Sequence, residues 1–217
     1  MWTFIVKGGP VMAPIIFCSL IGLAIIIDRL WMLWALRFNA SAFVEEVFSF
    51  VKARRIGQAL ERCRREQHPL AHVLAAGLEH RGEDQEAINH AMEKIANRCI
   101  RQLEQHLGGL ISIVGIEPLL GFLGTITGLI RAFMSWERAG ANITVSALAG
   151  GIYEAMITTA AGLIIAIPYY LAYNYIVSRI KYLSHEFNDY GTELLMYLRA
   201  ANHSATSAAH QHQGTLR

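Results

Sequence analysis

The sequence predicts an all-α integral membrane protein, with three transmembrane helices carrying long cytoplasmic helical extensions. Three observations lead there. Hydrophobic residues make up 53% of the chain and charged residues only 17%, below the roughly 25% usual in soluble domains. The apolar residues gather into three runs, each longer than the about 20 residues a bilayer crossing needs. The sequence outside those runs is strongly charged, with apolar positions returning at helical spacing.

Residues 1–10 form a short head in which Gly8-Gly9-Pro10 acts as a breaker. The first spanning segment is read at 11–36. It is too long for a signal-peptide core of roughly 7–15 residues, and no small-residue cleavage site follows it. It ends in Asp28, Arg29, Trp31, Trp34 and Arg37, an interfacial grouping: tryptophans favour the headgroup level and arginines reach back to water. Residues 37–105 interleave basic and acidic side chains. Phe43, Val47, Phe50 and Val51, then Leu70, Val73, Leu74 and Leu78, recur at helical spacing, with Pro69 and Gly82 as punctuation. This stretch is expected to be a domain of packed amphipathic helices. The second spanning segment is read at 106–133, a short loop at 134–147 and the third span at 148–178. The tail, 179–217, begins helically and turns polar after Ala201, where disorder is expected. Its histidines, His203, His210 and His212, are too poorly spaced for a metal site.

Orientation follows from the basic residues. Residues 37–105 hold many Lys and Arg, whereas the head holds only Lys7 and the loop only Arg138. The positive-inside rule places 37–105 and the tail in the cytoplasm, with the head and the loop facing outward. The three cysteines, Cys18, Cys63 and Cys99, form no CxxC pair and read as reduced thiols.

The second segment contains Gly121-Phe122-Leu123-Gly124-Thr125-Ile126-Thr127-Gly128. Gly124 and Gly128 form a GxxxG pair that lets helix backbones approach closely. Gly121, Thr125 and Gly128 lie near one face. A plain helix contact, with the hydroxyls bonded back to the backbone, accounts for the glycines alone. The third segment contains Gly151-Ile152-Tyr153-Glu154-Ala155-Met156-Ile157-Thr158-Thr159-Ala160-Ala161-Gly162, then Pro168. Ala155, Thr159, Gly162 and Ala166 make a small-residue stripe. Glu154 is the exceptional residue. An ionisable group in a spanning helix costs several kcal/mol and faces a bundle interior or a hydrated cavity by default. The alternative is that Glu154 lies near the outer interface and is simply hydrated.

At about 1.5 Å rise per residue, Thr125 lies roughly 12 Å inside the outer end of its helix, Thr159 roughly 16 Å and Glu154 about 9 Å. The two helices run antiparallel, so the threonines can meet at similar depth. Helix phase adds a constraint. At about 3.6 residues per turn, Thr158 shares a face with Glu154, whereas Thr159 is turned by about 140°. The acid and both threonines cannot all face one narrow axis, so one threonine is expected to face a neighbouring helix. Glu117, just before Pro118, is a second oddity. The proline removes a backbone donor. Glu117 is open to three readings: lining a pore, accepting a hydrogen bond from an adjacent helix, or sitting in a hydrated vestibule.

No P-loop, GxSxG, HExxH or kinase signature occurs, so neither an enzyme nor a cofactor is expected. The basic residues are mixed with acids and lack a nucleic-acid motif.

Pro118-Leu119-Leu120-Gly121-Phe122-Leu123-Gly124-Thr125 with Gly128 resembles the second-helix signature of the MotA/TolQ/ExbB proton-channel family. Glu154-Ala155, Thr158-Thr159-Ala160-Ala161-Gly162, Ala166-Ile167-Pro168 and Tyr173-Asn174 resemble its third-helix signature, and Gly8-Gly9-Pro10 looks like the start of many ExbB-type members. The resemblance covers most of residues 8–200. It implies a homo-pentamer in the bacterial inner membrane, with a periplasmic N-terminus and loop. An ExbD/TolR-type single-span partner would lie in the central pore, and its aspartate would carry the proton. By motif position Thr125 and Thr159 match the polar pore threonines and Glu154 the third-helix glutamate. Glu117 departs from the small residue usual before this proline.

The function this implies is a pore-forming subunit of a proton-motive-force-driven motor of ExbB type, energising TonB-dependent transport across the outer membrane through a TonB-like transducer. A TolQ-type subunit for envelope integrity and a structural membrane scaffold are the alternatives. A flagellar stator subunit would have four spanning segments. The expected proton pathway comprises Thr125, Glu154, Thr159, Thr158 and Glu117, and the expected helix-packing positions are Gly121, Gly124, Gly128 and Gly162.

Overall fold

A computed structural model describes residues 7–36, 39–139 and 145–214, with side chains for 7–36, 39–138 and 149–200. The tail histidines, residues 1–6 of the head, Arg37 and residues 139–148 of the loop therefore lie outside the described side chains. The described residues form helices and no strand: α1 (Met12–Ala35), α2 (Ala40–Lys52), α3 (Ile56–Arg65), α4 (Pro69–Glu79), α5 (Gln85–Leu103), α6 (Leu107–Ala139) and α7 (Val145–Gly214). Among the described residues three helical stretches are long and apolar enough to cross a membrane. The chain is an all-α membrane protein. The helix of α7 continues to Gly214, where the polar composition after Ala201 predicted disorder. Ala205, Ala208 and Ala209 belong to the residue type with the highest helix propensity.

The chain divides into two compact units. One holds residues 1–32 and 105–177, the other residues 33–104 and 178–217.

In the first unit α1 begins after a tight turn. Gly9 is left-handed (φ 67°), and its carbonyl and that of Pro10 accept from Met12 N–H and Ala13 N–H, both at 3.2 Å. Small residues set how closely the helices approach. A Cβ at Gly22 of α1 would come within 2.6 Å of the Tyr169 ring of α7, and the Tyr169 hydroxyl donates to the Ser19 carbonyl at 2.7 Å. The opposite faces leave Phe17, Trp31, Phe122, Leu119 and Ile164 exposed, as suits side chains that meet lipid.

The second unit is a helical domain with its own core. Asn39 caps α2 by accepting from Ala42 N–H at 3.4 Å. That helix ends with left-handed Arg54 (φ 59°) and a bond from Arg55 N–H back to the Phe50 carbonyl at 2.9 Å, a Schellman-type termination. Pro69 opens α4 at its first turn, where no N–H is needed, behind His68, whose Nδ1 accepts from Leu70 N–H at 3.3 Å. The core joins Val47, Leu70, Leu74 and Met92 to Phe187 and Leu194. The stretch after residue 178, read from sequence as a tail, thus supplies core residues, because its apolar positions complete the face of α2–α5. Each fully buried leucine contributes about 1.5–3 kcal/mol. The surface pairs Arg65–Glu61 and Arg64–Glu79 contribute little. The three cysteines are free, and burial pushes the Cys63 thiol up to about 12.

Candidate functional site

The site is built where α6 and α7 touch backbone to backbone. A Cβ at Gly121 would lie 2.9 Å from the Thr158 carbonyl oxygen, one at Gly128 2.8 Å from the Gly151 carbonyl oxygen, and one at Gly162 2.5 Å from the Glu117 carbonyl oxygen. At Gly124 it would overlap the Thr158 side chain. Gly121, Gly124 and Gly128 form a line along α6 because their spacing of three and four residues keeps them on one face, and Gly162 meets that line from α7. Without Cβ atoms there, the polar side chains at the rim of the contact come within bonding reach.

Thr125 and Thr159 meet at that rim. Their hydroxyl oxygens are in hydrogen-bond contact. The Thr125 hydroxyl also reaches the Ala155 carbonyl at 3.2 Å, and the Thr159 hydroxyl reaches the Gly121 carbonyl at 3.1 Å. Each hydroxyl has one proton to donate. The pair therefore has two arrangements, in each of which one hydroxyl donates across and the other donates to a carbonyl of the facing helix. Both residues are partly exposed, so a carboxyl group or water arriving from outside this pair of helices can join them. The hydroxyls can orient and relay hydrogen bonds.

The phase conflict is resolved by dividing the threonines. Thr158 is fully buried against Gly124, and its hydroxyl donates within its own helix, to the Ala155 carbonyl at 3.0 Å or the Glu154 carbonyl at 3.1 Å. Thr159, about 100° further round the helix, is the one that meets Thr125.

Glu154 is buried, and Arg131 Nη1 of α6 donates to its Oε1 at 2.5 Å. Sequence reading passed over Arg131. The available signal was a lone arginine near the end of a span, on a helix antiparallel to the one carrying the lone acid. It also missed that Gly9 seats against this pair, since the contact joins segments more than a hundred residues apart. Glu117 is fully buried on the glycine face of α6, and neither carboxylate oxygen has a hydrogen-bond partner among the described residues. Tyr169 lies within its electrostatic reach. Among the described residues no three His, Cys, Asp or Glu side chains gather as metal ligands.

Comparison with known proteins gives this arrangement a context. Residues 65–189 match the MotA/TolQ/ExbB proton channel family, a range that includes both threonines, both buried glutamates and the glycine line. The chain is similar to the biopolymer transport protein ExbB-like 1 of Synechocystis sp., at 32% identity over 200 residues, covering 89% of this chain and 77% of that one. It is similar to the Tol-Pal system protein TolQ of Haemophilus influenzae, at 34% identity over 108 residues, covering 50% of this chain and 47% of that one. It is also similar to the biopolymer transport protein exbB1 of Vibrio cholerae, at 50% identity over 60 residues, covering 27% of this chain and 26% of that one. A match over more than half of the chain, with the glycine line and the threonine pair inside it, shows that this protein belongs to the MotA/TolQ/ExbB proton channel family.

Proposed function

We propose that this chain is the pore-forming subunit of an inner-membrane motor driven by the proton-motive force. Five copies would surround the spanning helix of an ExbD/TolR-type partner, and the assembly would energise a TonB-like transducer. The observation that carries this reading is the hydroxyl pair of Thr125 and Thr159, held across two helices by glycine contacts and flanked by exposed Phe122 and Ile126. A partner carboxyl reaching this pair would find hydroxyls able to donate to it or to accept from it. Once neutral, it would pass the apolar wall at low cost. Its proton would enter from the loop side and leave toward residues 37–105.

In this reading the head before residue 11 and the loop at 134–147 are periplasmic, and residues 37–105 and 179–217 are cytoplasmic. The asymmetry of basic residues supports that orientation. Glu154 belongs to the loop-side half of the pathway. Thr158 supports the pair by filling the space beside Gly124. Glu117 is an additional ionisable position about 12 Å inward of Thr125 by helix rise.

Similarity to ExbB-named proteins over most of the chain favours energising outer-membrane uptake. Similarity to a TolQ protein supports envelope maintenance as the second reading. Co-purification of the chain with its genomic neighbours, followed by intact-complex mass, separates the two by the partner found. Proton flux into vesicles holding that complex tests the pathway. Thr125→Ala and Thr159→Ala complexes are expected to lose most of the flux, and undiminished flux in both would overturn the proposal.

A further inference from the structure

Arg131, Glu154 and Gly9 come from three segments distant in sequence and meet at one point. Arg131 Nη1 donates to Glu154 Oε1 at 2.5 Å, with the glutamate side chain 11% exposed and the arginine 45%. Gly9 closes over them. A Cβ on Gly9 would overlap Glu154 Oε1 and lie 3.1 Å from Arg131 Nη1, and Gly9 itself is left-handed, with φ 67°. Only glycine meets both demands without strain. Gly8 continues the contact: a Cβ there would lie 3.3 Å from Ile157 Cγ2 and would strike Met12. The turn at 8–10 thus rests on the carboxylate and is held in shape by the bond from Met12 N–H to the Gly9 carbonyl.

The location gives the contact its meaning. Arg131 is six residues from Thr125 on α6, about 9 Å by helix rise, and Glu154 is five residues from Thr159 on α7, about 7.5 Å. Both lie on the side of the threonine pair toward the Ala139 end of α6. Between the ion pair and the hydroxyl pair, the α6–α7 contact is made by Gly128 against Ala155, and Gly124 meets Thr158 beside the hydroxyls. Glycines permit close approach, but a small, smooth contact resists axial sliding weakly. A directional ion pair between side chains on the two helices opposes such sliding.

We propose that Arg131 is a positioning residue: paired to Glu154 under the Gly9 turn, it clamps α6 and α7 in the register that brings the Thr125 and Thr159 hydroxyls together. Glu154 thereby acts through its bond to Arg131, and the segment before α1 is the third part of the clamp. The contact uses a single arginine nitrogen, so a lysine ammonium at the same position can replace it in part.

The experiment uses the full chain in its purified membrane complex, with the natural cysteines replaced and Thr125→Cys and Thr159→Cys introduced together. The rate of disulfide formation under mild oxidant reports register directly. Adding Arg131→Met is expected to slow cross-linking about tenfold, as for loss of a coupling between contacting groups, with the complex mass unchanged. Arg131→Lys is expected to recover most of the rate. Gly9→Ala leaves both charges in place and is expected to slow cross-linking as well; it carries the test should Arg131→Met fail to assemble. An unchanged rate in Arg131→Met, a lysine variant no faster than the methionine one, or an unchanged rate in Gly9→Ala would overturn the clamp. Proton flux is measured for the same Arg131 and Gly9 substitutions with both threonines intact. Only this arm rests on the pathway proposed above. Slower cross-linking together with reduced flux supports both, whereas slower cross-linking with full flux leaves the clamp standing and removes the threonine pair from the pathway.

Discussion

The Thr158 side chain occupies the space that any side chain at Gly124 would need. Because Thr158 is fully buried there, Thr159 is the neighbour left to face Thr125. Gly124→Ala is therefore expected to overpack this contact and destabilise the protein by about 1–3 kcal/mol, read from thermal unfolding in lipid or detergent. Combining it with Thr158→Ala, which frees that volume, should recover part of the loss. Parental stability in Gly124→Ala alone would refute the contact.

The hydroxyl itself, and not only the side-chain volume, matters at the threonine pair. Thr125→Ser and Thr159→Ser keep the donor and acceptor and should hold proton flux within about twofold of the parent. Thr125→Val and Thr159→Val keep the shape and lose the hydroxyl. They should reduce flux by about fivefold or more, the effect of one hydrogen bond worth about 1 kcal/mol. Vesicle flux with the assembled complex measures this, and serine and valine variants of equal activity would remove the hydroxyl from the mechanism.

Glu117 has no bonding partner among the described residues and is fully buried. A buried polar group left unsatisfied costs about 1–3 kcal/mol. Glu117→Leu should therefore raise the stability of the protein by an amount of that order, and its effect on flux then reports whether the carboxyl serves transport. A lower unfolding temperature in Glu117→Leu would mean that the carboxyl has a partner in the assembled complex.

Leu194 lies in the stretch that the sequence marks as a tail but is fully buried in the same core as Leu70 and Leu74. Leu194→Ala should cost about 2–5 kcal/mol, comparable with Leu74→Ala and unlike a change in a free tail. Thermal unfolding of the two variants side by side decides this; a loss in Leu74→Ala with none in Leu194→Ala would separate residue 194 from the core.

His68 is expected to make the second unit sensitive to acid. Burial holds its imidazole below the ordinary range, against the opposing charge of Glu66. Its Nδ1 accepts from Leu70 N–H, which requires that nitrogen to be unprotonated. The unfolded chain binds the proton more readily than the folded one, so the contribution of His68 to stability is full above about 6.5, the ordinary imidazole value, and is lost as pH falls below it toward the lower value of the folded state. His68→Asn keeps a capping acceptor without a titrating ring and should flatten the pH dependence of unfolding between about pH 5 and 7. An identical dependence in the two proteins would exclude His68 as its source.

Sequence alone determined the features that depend on near neighbours along the chain. Run length and apolarity specify three spanning helices, since a bilayer demands satisfied backbone bonds over its whole thickness. Spacing of three and four placed Gly121, Gly124 and Gly128 on one face, and the antiparallel connection put Thr125 and Thr159 at similar depth. Tertiary structure alone decided which threonine faces which helix, because an ideal helix leaves Thr158 and Thr159 both plausible until Gly124 receives one of them. It also decided that Arg131 answers Glu154 beneath Gly9, and that Leu194 belongs with Leu70. Those contacts join residues 23 to more than a hundred positions apart, where periodicity carries no information and only the packing of helix against helix selects the partner.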